Sequence, residues 1–91
     1  MVRPRLCRRI RFHSRVSYFK PQGIPLRHLE EINVTKEEME ALKLKDFDGL
    51  DQTEAARKMN TSQSTFQRIL FGSRAKIAKA LVEGKVLRIE K

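Results

Sequence analysis

Apolar side chains recur along this chain in two rhythms, and the rhythm changes at recognisable punctuation. From Ile10 to Tyr18 the period is two, with Ile10, Phe12, Ser14, Val16 and Tyr18 on one side and Arg9, Arg11, His13, Arg15 and Ser17 on the other. Such alternation predicts a half-buried strand. Lys20-Pro-Gln-Gly-Ile-Pro25 interrupts it with two prolines and a glycine, which forbid regular structure and predict an extended turn. Pro25 then opens a short helix through Glu31, with Leu26 and Leu29 inward. Thr35-Lys-Glu-Glu38 is a capping box for a helix over about 36 to 47, whose Met39, Leu42 and Phe47 supply core. Asp48-Gly49 ends it.

The next stretch, Leu50 to Phe71, reads as two helices joined by a tight turn. Asp51 can accept from the free N–H groups of the first turn, Glu54 can reach back three residues to complete a capping box, and the helix starts at about Gln52. Ala55 and Ala56 supply two consecutive small side chains, and Ala56 is the expected point of closest contact with the partner helix. Met59 closes the buried face, and Asn60 stands where the chain turns sharply and a left-handed backbone is required. Ser62 caps the second helix. Behind it Phe66, Ile69, Leu70, Ser73 and Ile77 recur at spacings of three and four, so the apolar stripe continues well past the turn. Ala75, Ala78, Leu81 and Val82 carry the helical pattern on to Gly84, a C-terminal cap, and Lys85 to Ile89 form a short strand. Two strand segments at opposite ends of the chain invite pairing. The expected fold is mainly α, a helix-turn-helix with a small β element formed by the N-terminal segment and the C-terminal tail.

With those helices in place, Gln63, Ser64, Gln67 and Arg68 face outward at the start of the second one. They are long or hydroxylated hydrogen-bonding side chains at the end that reaches base edges when such a helix lies in the major groove. Capping residue, small contact residue, turn residue and polar face occur together at compatible spacing, so the pattern points to sequence-specific binding of double-stranded DNA rather than to an ordinary helical hairpin with a solvated face.

Charge sharpens that expectation. Of a net +9, residues 1 to 29 hold eight Lys/Arg and no acid, residues 30 to 54 hold three bases and nine acids, and residues 55 to 91 hold nine bases and two acids. Two basic ends flanking an acidic middle suit a polarised surface facing phosphates. Among residues 1 to 20 arginine outnumbers lysine six to one, and its planar fork matches phosphate and guanine edges. Arg3, Arg5, Arg9, Arg11, Arg15 and Arg74 are the expected phosphate contacts.

At 91 residues the chain is expected to be one DNA-binding domain over 1–91: a basic strand and turn segment (1–25), helical support (26–48), the helix-turn-helix with its extended second helix (50–83) and a tail strand (85–91). One cysteine excludes an internal disulfide, no Cys/His cluster has zinc-ligand spacing, and no apolar run has membrane or signal-peptide character. A cytoplasmic, cofactor-free and metal-free protein follows, with no membrane association. Cys7, among Arg5, Arg8 and Arg9, is read as a small inward-packing residue rather than a redox thiolate. His13 and His28 are far apart and lack a third ligand or a nucleophile. No nucleophile, base and orienter stand at usable spacing, so no enzyme is expected.

Several segments resemble a family of small, uncharacterised prokaryotic proteins predicted to bind DNA, whose helix-turn-helix is similar to region four of sigma-seventy-type factors. The resemblance runs over nearly the whole chain: Arg3-Pro-Arg-Leu-Cys-Arg-Arg9, Tyr18-Phe-Lys-Pro-Gln-Gly-Ile-Pro25, Glu40-Ala-Leu-Lys-Leu-Lys-Asp46, Glu54-Ala-Ala56 with Met59, Ser62 with Thr65-Phe66 and Arg68-Ile-Leu70, and Ala80-Leu-Val-Glu-Gly-Lys-Val-Leu-Arg-Ile89. Asn60 stands where glycine is frequent and Lys43 where arginine is frequent. The resemblance implies a transcription-related DNA binder, acting as a transcriptional regulator. Two rivals stand beside it: an RNA-binding protein, with Phe12, Tyr18 and Phe19 as stacking aromatics, and a protein-interaction module docking on RNA polymerase or another transcription protein. A homodimer is possible because a single reading head makes few base contacts, although no heptad marks a dimer helix.

Overall fold

In the computed structural model, the structure describes residues 9–12 and 18–90. Arg3, Arg5, Cys7, His13, Arg15 and the middle of the alternating segment lie outside the described residues.

Helix α1 (Lys36–Leu42) begins at the capping box expected of Thr35 and Glu38: Thr35 Oγ1 accepts from the Glu38 N–H at 3.1 Å, and the Glu38 carboxylate accepts from the Thr35 N–H at 2.9 Å. Its continuation over Lys43–Phe47 is wound more loosely, closed by a bond from the Asp48 N–H back five residues to the Lys43 carbonyl at 2.8 Å. This stretch corrects one expectation. Phe47 is not core but 81% exposed: the buried face of this helix runs through Glu40, Ala41 and Leu44, and Phe47 lies with Met39 and Leu42 along an open groove that Phe12 also lines.

Helix α2 (Gln52–Lys58) is capped by Asp51, which accepts from the Glu54 N–H at 2.8 Å. Only half of the expected capping box forms, since the Glu54 carboxylate pairs with Arg57 instead. Residues 59–62 make the turn: Asn60 takes φ 57°, the left-handed conformation the sharp reversal demands, and the Thr61 N–H closes on the Ala56 carbonyl at 3.1 Å. Ser62 then caps α3 (Gln63–Glu83), accepting from the Thr65 N–H at 3.2 Å, and Gly84 ends that helix at φ 70°. Ala41, Leu44, Ala55, Ala56, Met59, Phe66 and Leu70 form one buried cluster, with Leu42, Leu50 and Ile69 packed against it.

The sheet has three strands in the order β1-β3-β2, where β1 is Tyr18–Phe19, β2 Glu31–Val34 and β3 Val86–Ile89. Pairing of the N-terminal segment with the tail is present, antiparallel, with Tyr18 opposite Arg88 and Phe19 opposite Leu87. Residues 9–12 belong to no strand, although exposed Arg9 and Arg11 alternate with half-buried Ile10 and Phe12. Strand β2 replaces the helix expected through Glu31, so 26–48 is not purely helical. Only Leu26–His28 forms a single 3-10 turn. Beyond it Ile32 and Val34 point inward while Glu31 and Asn33 are exposed, a two-residue period that β-branched side chains favour. β2 runs parallel to β3, with Glu31 beside Val86 and Val34 beside Ile89. A parallel pair needs a long crossover, and the three helices supply it.

Candidate nucleic-acid interface

The candidate surface is built on the angle at which α2 crosses α3. Ala55 and Ala56 are both buried, Ala56 at 2% exposure, and they let α2 approach Phe66 and Leu70 of α3 without an intervening side chain. Met59 is fully buried at the turn. At the other end Gln52 Nε2 donates to the Gln63 carbonyl at 3.3 Å, tying the start of α2 to the start of α3. Of the expected motif-structural residues, Asp51 and Ser62 cap α2 and α3, Ala56, Met59 and Phe66 are buried in the cluster, Asn60 makes the turn, and Ile69 is half-buried beside the cluster.

Held in this way, α3 presents Gln63, Ser64, Gln67 and Arg68 outward from its first two turns, all four exposed. Ser64 Oγ lies 3.3 Å from Ser62 Oγ. No ion pair among the described residues engages Arg68, which leaves its guanidinium open to a ligand.

The basic segment is brought to the same region by main-chain bonds. The Arg9 N–H donates to the Met59 carbonyl at 3.1 Å, at the turn between α2 and α3. The N–H groups of Arg11 and Phe12 donate to Glu40 Oε1 at 3.1 and 2.8 Å. Glu40 is 3% exposed, and these charge-assisted bonds offset the cost of burying its carboxylate. Sequence reasoning missed Glu40, and the one available signal is weak: it lies four residues before buried Leu44 on the inward face of α1. Beside this anchor, Arg11, Phe12, Lys43, Leu44, Leu50 and Lys58 are among the residues lining a groove of about 580 Å³.

Most other cations are spent on carboxylates. Lys43 pairs with Asp48, Lys76 with Glu38, Lys79 with Glu83, and Lys85 with Glu30. Arg88 holds Glu31 through two bonds of 2.8 and 2.6 Å while lying over the Tyr18 ring, which accounts for one of the three expected stacking aromatics. The hydrogen bonds from Arg88 and Lys85 hold the Glu31 and Glu30 carboxyls below their ordinary range. Arg74, expected on phosphates, is committed elsewhere: its guanidinium grips Asp46 at 2.9 and 2.6 Å, which lowers the Asp46 pKa and raises its own. Arg9, Arg11, Lys58 and Arg68 have no such partner among the described residues. Arg9, Arg11, Lys58 and Arg68 thus leave uncompensated charge at the α2–α3 turn and on the outward face of α3, while Lys20, Arg27, Lys36 and Lys45, elsewhere on the described surface, lie in no ion pair either.

Among the described residues no group of three or more His, Cys, Asp or Glu is arranged to hold a metal, and no helix is long and apolar enough to cross a membrane.

Comparison with known proteins finds a family profile described as "Protein of unknown function DUF134" over residues 1–91. A UPF0251 protein of Halothermothrix orenii is 54% identical over 90 residues, covering 99% of this chain and 67% of the relative. One from Desulforudis audaxviator is 53% identical over 90 residues (99% and 59%), and one from Dehalococcoides mccartyi 58% identical over 90 residues (99% and 77%). The chain thus spans 59% to 77% of the length of these three relatives. No solved structure matches.

Proposed function

Because the chain belongs to the family described as protein of unknown function DUF134, a description that carries no activity, we propose from its own geometry that it binds double-stranded DNA sequence-specifically, as a transcriptional regulator. Helices α2 and α3 act as a helix-turn-helix of the kind found in region four of sigma-seventy-type factors, with α3 in the major groove.

The observation that carries this reading is the first two turns of α3, where Gln63, Ser64, Gln67 and Arg68 are all exposed on a helix whose angle is fixed by buried alanines. Arginine can bond guanine O6 and N7 through two parallel N–H groups, and glutamine can do the same to adenine N6 and N7. Arg9, Arg11 and Lys58, uncompensated beside the α2–α3 turn, suit the phosphates flanking such a groove. Arg74 is left out of this set because Asp46 neutralises it. The reading involves no cofactor and no catalysis.

Binding measured at matched salt on duplex DNA, single-stranded DNA and RNA tests the reading. Duplex DNA is expected to bind most tightly. Tighter binding to RNA would favour the basic segment as an RNA surface, and no binding to any of the three would leave docking on RNA polymerase or another transcription protein as the better account.

A further inference from the structure

The outward face of α3 changes character halfway along. Positions 64, 67, 71, 75, 78 and 82 are separated by three or four residues and so share one face of a helix with 3.6 residues per turn. Over the first two turns that face carries Ser64 and Gln67 with neighbouring Arg68; over the next three it carries Phe71, Ala75, Ala78 and Val82. All four are exposed, with no place in the buried cluster of the described residues. Phe71 is 72% exposed, Val82 84%, adjoining Leu81 75%, and both alanines are exposed. A monomer in water rarely leaves such a contiguous apolar stripe uncovered.

We propose that this stripe is a self-association surface on which the α3 helix of a second copy of this chain packs antiparallel, face to face. The order of sizes along it is large, small, small, large. When α3 is paired antiparallel about a two-fold axis passing between residues 76 and 77, Phe71 meets Val82 of the other copy and Ala75 meets Ala78, at both ends alike. Alanines at the centre allow the axes to approach to the lower end of the usual ~8–10 Å. Large residues then close the two ends.

Charge at the edges permits the approach. In this register Arg74 and Lys79 of the other copy stand at the same height but on opposite edges of the stripe, so they do not face one another, and each arrives with its own carboxylate, Asp46 at 2.6 Å and Glu83 at 3.1 Å. Taking ~150–250 Å² for an aromatic side chain and less for valine and leucine, covering Phe71, Leu81 and Val82 removes roughly 400 Å² per copy. With the alanines and the paired charges at the rim, the total approaches the ~1,200 Å² at the low end of specific interfaces. A reversible, concentration-dependent dimer is expected rather than a permanent one.

In this register the Ser64 and Gln67 face of each α3 is turned towards the other copy, so this dimer does not present its two reading heads to a palindromic site. Each copy also stands on the side from which DNA would approach Gln67 and Arg68 of the other, so association and DNA binding compete. That consequence rests on the DNA reading; the association does not.

Sedimentation equilibrium of the full chain without nucleic acid tests the association separately. Its weight-average mass is expected to rise from 10.7 kDa towards twice that value with concentration. Phe71→Glu and Val82→Glu should each hold the mass at that of the monomer, with an unchanged melting curve because both side chains are exposed in the monomer. To report direction without disturbing packing, copies carrying Ala75→Cys are mixed with copies carrying Ala78→Cys, both in a Cys7→Ser background, and treated with a short bis-maleimide. Linkage of 75 to 78 should exceed linkage of 75 to 75. Monomer mass at every concentration, a dimer indifferent to both glutamates, or predominant 75-to-75 linkage would each overturn the proposal.

Discussion

Glu40 shows how one side chain can determine where a whole segment lies. Its buried Oε1 takes the N–H groups of Arg11 and Phe12, residues 29 and 28 positions earlier, and so seats the basic segment against α1. Glu40→Ala leaves those donors without their acceptor and is expected to cost about 1–3 kcal/mol. Glu40→Gln, which keeps a carbonyl acceptor, should cost less. Amide exchange at Arg11 and Phe12, with a melting curve for each variant, checks both expectations; unchanged exchange in the alanine variant would mean the carboxylate does not hold the segment. Residues whose roles are local were legible beforehand. Asn60 had to accept a left-handed backbone, Ser62 and Asp51 had to satisfy free N–H groups a turn away, and Ala56 had to be small. Glu40 was not legible, because nothing in its neighbourhood announces partners almost thirty residues distant. Phe47 misled for the opposite reason: it shares a side of the helix with Met39 and Leu42, but that side lines an open groove, and the buried cluster lies on the Ala41 and Leu44 side.

At the scale of elements, the crossing of α2 and α3 rests on two alanines. Ala56→Leu adds three carbons where there is no space and is expected to destabilise the fold by about 1–3 kcal/mol. Chemical denaturation measures it, and an unchanged midpoint would show that the helices touch elsewhere. The sheet responds to a different variable. Glu30 at the entry to β2 and Glu31 within it are held below the ordinary carboxylate value of 4.5 by bonds from Lys85 and Arg88 beside and within β3. A carboxyl whose folded pKa is depressed contributes stability that is present above its ordinary value and is lost as pH falls through the lowered one. On acidification from neutrality, amides of β2 and β3 should therefore lose protection before those of α2 and α3. Because these groups are exposed, added salt should shrink the difference. Equal loss in both regions would show that the pairs do not support the sheet. β2 itself escaped sequence reading because four residues are too few to outweigh Pro25 and the Leu26–Leu29 spacing. Its stability comes from pairing with a strand more than fifty positions later.

Across the whole molecule, acids and bases are sorted rather than merely unequal in number. The acidic middle of the sequence neutralises cations from α3, β3 and the link between them, including Arg74, Lys76, Lys85 and Arg88, while Arg9, Arg11, Lys58 and Arg68 stay uncompensated, as do Lys20, Arg27, Lys36 and Lys45 away from the α2–α3 turn. The count of charges along the chain revealed the polarity, but which bases remain available follows only from the packing. Replacing Arg9 and Arg11 by glutamine should weaken binding to all DNA alike, flattening the slope of log affinity against log salt by about 0.9 for each phosphate no longer neutralised. An unchanged slope in the folded variant would remove the basic segment from the DNA surface. The central claim is that the first two turns of α3 read base edges. Its most direct test is to select bound sequences from a random duplex pool and titrate the wild-type chain, Gln67→Ala and Arg68→Ala on the selected site and on a scrambled one. The predicted result is a loss of about 1–3 kcal/mol for each variant on the selected site and much less on the scrambled one; equal losses on both, or no enrichment of any sequence, would contradict it.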